Sequence, residues 1–261
     1  MDKQTRSVLL VISVALTTLW VGAAGAVVVD DDPLKSANWD DLKTRFFGDA
    51  KVVFDDRVKV VAPIRAEDSM NVPVGVNVEA LGEVEEVMVI ADLNPIVKVL
   101  QFRPLAARAS LSFRVKLQQA TPVRAIARTR DGIWHAGGMW VDAAGGGCTA
   151  PSVGRSTGNW ADTLGQVQAR IWNPAEAGRL RFRVMHPMDT GLAPGIPAFY
   201  IEKLSLSDAA GVKFMDLETF EPVSENPVFS FDFRPGRAPR LPLLLSGMDN
   251  NGNRIQAQVA Q

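Results

Sequence analysis

The chain has 261 residues, 28 Lys and Arg against 29 Asp and Glu for a formal net charge of −1, and 47% hydrophobic residues. Near-neutral charge without a basic stretch leaves no footprint for nucleic acid or an anionic membrane, and the composition is that of a folded chain rather than a disordered one. A single cysteine, Cys148, rules out an internal disulfide, and one cysteine with two separated histidines, His135 and His186, matches no metal-ligand spacing, so neither a resident metal nor a cofactor is expected.

The N-terminus carries Lys3 and Arg6, then an apolar stretch from Val8 to Val21, then Ala24-Gly25-Ala26. This is the layout of a secretory signal peptide over 1–26. The apolar stretch falls short of the ~20 residues of a membrane span, which favours cleavage over a retained anchor and leaves no membrane contact in the mature chain. Asn38 then stands as the cap of a short helix, with Asp41 three residues on and Trp39, Leu42 and Phe46 along one face.

From Asp55 the period changes to two. Val72, Val74, Val76 and Val78 alternate with small or polar residues, as do Leu111, Phe113, Val115 and Leu117. Glu85 to Asp92 and Val97 to Phe102 are strand-like, separated by the turn Asn94-Pro95. The pattern returns after Val167: Ala169 to Trp172, then Leu180, Phe182 and Val184, then Tyr200 to Leu206, then Phe229, Phe231 and Phe233, then Leu241 to Leu245. Short alternating strands without a long helical period predict an all-β chain of two immunoglobulin-like β-sandwiches, with the short helix before the first. Val58 to Pro63 and Ala169 to Pro174 open the two modules, and the hairpin signals Asp131-Gly132 and Asn251-Gly252 close them. Offsets of 111 and 120 residues point to a domain duplication. The expected boundaries are 33–143 and 163–261.

Between them, 144–162 is almost entirely small residues, with Gly145, Gly146 and Gly147 leading into Cys148 and Thr149-Ala150-Pro151 following. Such a stretch buries little apolar surface, so it is expected to be a mobile arm with its thiol exposed. On that basis, changing the three glycines to alanine should leave reaction with small thiol reagents unchanged. His135, His186 and Arg155 are read as structural or surface residues rather than partners of the thiol. Composition alone leaves three functions open: a covalent carrier, a thiol-dependent peroxidase or hydrolase, and an immunoglobulin-like binding module in which the cysteine has no role.

Several motifs narrow this. Ala62-Pro63, the Val72 to Val78 strand, Leu93-Asn94-Pro95 and the terminal Gly146-Gly147-Cys148 resemble SoxY, the sulfur-carrier subunit of periplasmic thiosulfate oxidation. His186-Pro187-Met188-Asp189-Thr190-Gly191 and Ser224-Glu225-Asn226-Pro227 resemble SoxZ. The order is similar to that of the SoxYZ-like carriers associated with quinoprotein dehydrogenase systems. The resemblance implies a periplasmic, non-enzymatic carrier that holds sulfur-containing cargo covalently on Cys148, with Gly145, Gly146 and Gly147 as the arm. It implies Sox-type or quinoprotein- and cytochrome-associated enzymes as partners, and a monomer or a Cys148-linked dimer. Two departures from SoxY stand out: Thr149-Ala150-Pro151 replaces the glycines after the cysteine, and the chain continues instead of ending. A segment held at both ends enters a partner as a loop.

Overall fold

The computed structural model describes residues 28–29, 31–152, 160–173 and 178–260. The segment read as a signal peptide, Arg155 and Pro174 lie outside the described residues. The first half contains β1 (Val28–Val29), helix α1 (Trp39–Phe47), β2 (Val52–Asp55), β3 (Lys59–Val61), β4 (Val72–Asn77), β5 (Val84–Ala91), β6 (Lys98–Arg103), β7 (Ser110–Val115), β8 (Thr121–Thr129) and β9 (Trp134–Val141). The second contains a single helical turn, α2 (Trp160–Thr163), and strands β10 (Val167–Trp172), β11 (Arg179–Val184), β12 (Ile201–Ser207), β13 (Lys213–Thr219), β14 (Val228–Asp232), β15 (Leu243–Asp249) and β16 (Arg254–Val259).

The chain is all-β with a short N-terminal helix, as its periodicity predicts. The two halves share both of their sheets. One sheet has ten strands in the order β1-β2-β9-β8-β5-β6-β13-β12-β15-β16, and the other has six in the order β10-β11-β14-β7-β4-β3. The seams are β6 with β13, where Phe102 faces Leu217, and β7 with β14, where Ser112 faces Ser230. Pairing between named strands is antiparallel throughout except for β2 with β9. One apolar core runs between the layers from Val72, Phe102 and Phe113 through to Phe182, Leu217 and Phe231.

A second, smaller core lies on the outer face of the large sheet. There α1 sets Trp39, Leu42 and Phe47 against Phe54, Met88, Ile90, Ile126 and Ala136. Phe47 makes the buried contact, while Phe46 is only half-buried. The cover explains why β5 and β8 are buried on both faces and read as apolar runs rather than alternating strands. Beneath α1, the fully buried Arg124 donates to Asp92 at 2.9 and 3.1 Å and to Asp32 at 2.7 and 2.8 Å, with its guanidinium over Trp39. Asn38 occupies the helix cap position without a side-chain capping bond; its amide donates instead to the Asp92 carbonyl.

Candidate functional site: a buried thiol in a hydrogen-bonded slot

Three strand ends and two loops meet at one end of the six-stranded sheet. There β7 runs out into Lys116, Leu117 and Gln118, and Asn94 fixes that segment by donating to the Lys116 carbonyl and accepting from the Gln118 amide. Ser69, just before β4, accepts the Leu117 amide. The glycine segment lies along this edge. Gly145 N–H donates to Ser69 Oγ, Gly146 N–H to the Gln118 carbonyl at 3.2 Å, Gly147 N–H to the Leu117 carbonyl at 3.1 Å, and Cys148 N–H to Gln118 Oε1 at 3.1 Å. Gly145 and Gly146 take φ of 105° and 80°, which favour glycine. At Gly147 the need is closeness: an added Cβ would stand 2.2 Å from the Ser69 carbonyl oxygen and 2.6 Å from that of Leu117.

The expectation of an exposed, mobile thiol is therefore corrected. Cys148 has 0% exposure, its Sγ–H directed at the Lys116 carbonyl at 3.6 Å. The segment is held by backbone and side-chain hydrogen bonds, not by apolar burial, so a lack of apolar side chains did not leave it loose. The continuation over 153–159 is outside the described residues.

The far wall comes from the loop after β11. Thr190 Oγ donates to the Cys148 carbonyl at 2.5 Å, and Asp189 accepts the Ser152 amide at 3.4 Å. The Met188 carbonyl accepts the buried Lys116 ammonium. His186 shapes this loop: its Nδ1 accepts the Met188 amide, and its backbone exchanges two hydrogen bonds with Asn226. Ser224 donates from its hydroxyl to the Met70 carbonyl, joining the wall to the turn that carries Ser69.

Burial pushes the Cys148 thiol up to about 11, and Lys116 offsets only part of this. Burial likewise pushes Lys116 down to about 8, against the pull of Asp189, Cys148, Glu225 and Glu221. At neutral pH the slot holds a neutral thiol beside a charged amine, so in this position Cys148 is a poor nucleophile. Neither histidine is bonded to the thiol. His135 bonds Asp55 at 2.8 Å, and the ring of His186 packs on Phe199 with Nε2 3.4 Å from Asp249. Among the described residues no group of three or more His, Cys, Asp and Glu is arranged to hold a metal ion.

Comparison with protein families gives two adjoining matches: "Sulfur oxidation protein SoxY" over residues 43–148 and "Sulphur oxidation protein SoxZ" over 172–260. The chain is a SoxY–SoxZ fusion. Among solved structures it is similar to the sulfur carrier protein SoxY from Chlorobium limicola f thiosulfatophilum. That match has 18% identity and a TM-score of 0.37, covering 41% of this chain and 96% of that one. It is also similar to a protein described as membrane anchored from Corynebacterium diphtheriae, with 10% identity and a TM-score of 0.24, covering 78% and 57%. No curated protein matches the chain.

In the fusion the SoxY match ends on Cys148 itself, and both motifs that carry the SoxZ resemblance lie at the slot. The loop 186–191 covers the thiol, and Ser224 and Asn226 brace that loop. Sequence reasoning named Cys148 and its glycines but not Lys116 or Gln118, and it quoted Thr190 only within a motif. A lysine two residues past a strand's last arginine carries no signal of burial. Asn94 belonged to a quoted motif, yet its task of fixing the 116–118 edge shows only in three dimensions.

Proposed function

We propose that the fusion is a periplasmic carrier that holds a sulfur compound covalently on Cys148 and presents it to partner enzymes. The observation that carries this is the placement of the one cysteine. It ends the SoxY match, follows three glycines with a built conformational role, and is gripped by both halves. Forming an S–S bond between the Cys148 thiol and a reduced sulfur anion releases one proton and two electrons. The loading partner therefore has to be an electron acceptor, which fits Sox-type enzymes or a quinoprotein- or cytochrome-associated system. The fusion supplies the thiol and the tether, and its Gly145, Gly146 and Gly147 form the hinge of the arm. Docking keeps the unloaded thiol neutral and covered until a partner draws the arm out.

The test is intact mass spectrometry of the protein purified from the periplasm of cells grown on reduced sulfur compounds, beside Cys148→Ser. The expected result is a mature chain starting at residue 27 with a mass increment that maps to Cys148, is removed by a reducing agent and is missing in the serine variant. A wild-type protein of unmodified mass under those conditions would sink the carrier reading. An increment mapping elsewhere would sink the assignment of Cys148.

A further inference from the structure

The outer face of the six-stranded sheet carries a cleft of about 390 Å³ that belongs neither to the core nor to the slot. Its walls include Arg114, one residue before the end of β7, together with Arg181 and Arg183 on β11. Register places them together. Arg183 faces Val228, and Ser230 faces both Arg181 and Ser112. Past Ser112 the register shifts: Val115 bridges Val223, and the Arg114 carbonyl accepts the Ser224 amide. Val228 lines the cleft with its β11 partner Arg183 and with Arg181 and Arg114.

The charge is concentrated here. Arg179 on the same strand is bonded to Asp232 at 2.7 Å, as most arginines of the first half are bonded to carboxylates. Arg114, Arg181 and Arg183 form no ion pair with another described residue, and the one carboxylate lining the cleft is Glu225. Three fork-shaped donors around a concave floor suit an anion with several oxygens and more than one charge, because each guanidinium can make paired N–H···O bonds. The volume is that of a small-molecule site, not of a broad protein interface.

The cleft opens at the sheet end that holds the thiol. Arg114 is two residues from Lys116, Arg183 three from His186, and Asn71, on the cleft wall, two from Ser69. We propose that Arg114, Arg181 and Arg183 form a binding site for a small dianionic tetrahedral oxyanion of the sulfate type, beside but separate from the Cys148 slot. The site does not depend on the role of Cys148, and Cys148→Ser leaves it intact.

Equilibrium dialysis of the full chain against radiolabelled sulfate at low ionic strength tests this. Expected is saturable binding of one sulfate per chain, displaced by phosphate but not by acetate at equal ionic strength. Binding should weaken at least tenfold in Arg114→Gln/Arg183→Gln and stay unchanged in Arg179→Gln. Should the double variant fail to fold, judged by its thermal transition, Arg183→Lys replaces it: charge is kept, the fork is lost, and binding should weaken severalfold. Overturning results are no saturable sulfate binding, equal displacement by acetate, or full binding in a folded Arg114→Gln/Arg183→Gln or Arg183→Lys. Sulfate-independent association with an acidic protein would also overturn it.

Discussion

Gly147 has carbonyl oxygens from two different segments where a side chain would begin. Gly147→Ala should therefore expel the segment from its slot, raising the alkylation rate of Cys148 by iodoacetamide at least tenfold and returning its pKa toward the ordinary ~8.5. Gly146→Ala meets open space and bears only the strain of a positive φ, about 1 kcal/mol, so its rate should rise less. The same logic reverses the expectation from sequence that alanines would leave small-reagent reactivity unchanged. Thr190→Val keeps shape but removes the bond to the Cys148 carbonyl, about 1 kcal/mol of the docking, together with the one accepted from the Leu192 amide, so alkylation should rise at least fivefold at constant pH. His186 gives a pH test. Burial holds it at about 4, with Asp249 and Asp189 pulling up and Lys116 pushing down, against ~6.5 in the unfolded chain. The unfolded state takes up the proton first as pH falls, so this residue's contribution, up to roughly 3 kcal/mol, is present above pH ~6.5 and is lost between ~6.5 and ~4. Urea midpoints at pH 7 and 4.5 should differ less in His186→Gln than in wild type. The identity of the thiol was legible from a count of one. Its burial was not, because it rests on carbonyls brought in from Ser69, Leu117 and Lys116.

At the scale of elements, α1 is fastened less by its cap than by the arginine beneath it. Arg124→Met should destabilise the protein by about 3–5 kcal/mol, because fully buried Asp92 loses its ionic partner. Tryptophan fluorescence should shift to longer wavelength in the folded variant as Trp39 loses the guanidinium beneath it and α1 loosens. The alternating strands β4, β7, β11 and β14 were legible because one face of each looks outward. The residues Pro122 to Thr129 offered no alternation, since α1 buries the face that would otherwise be polar. The hairpin signal Asp131-Gly132 was the better guide there. Residues Lys213 to Thr219 were also not anticipated: β13 lies between β6 and β12 and packs on the shared core.

Across the whole molecule, the all-β character of both halves was legible but the seam was not. Each half reads locally as a sandwich, and nothing local tells Phe102 that it will face Leu217. Because both sheets cross the seam, the halves should unfold together. Phe102→Ala is expected to cost about 3–5 kcal/mol and to speed hydrogen exchange in β5 and β12 equally, whereas independent halves would lose protection only in β5.

The slot, finally, sets an equilibrium that any partner has to work against. If Cys148, Gly147 and Thr190 each contribute a bond worth about 1 kcal/mol, the docked state is favoured by about 3 kcal/mol, and roughly one chain in 150 is open at any moment. A partner that recognises only the open form then binds about 150-fold more weakly than its contacts would allow. Variants that empty the slot would bind such a partner more tightly while leaving the thiol unguarded. The hydrogen bonds that Thr190 donates and Gln118 accepts thus set a trade between capture and protection, adjustable by single substitutions without touching the thiol.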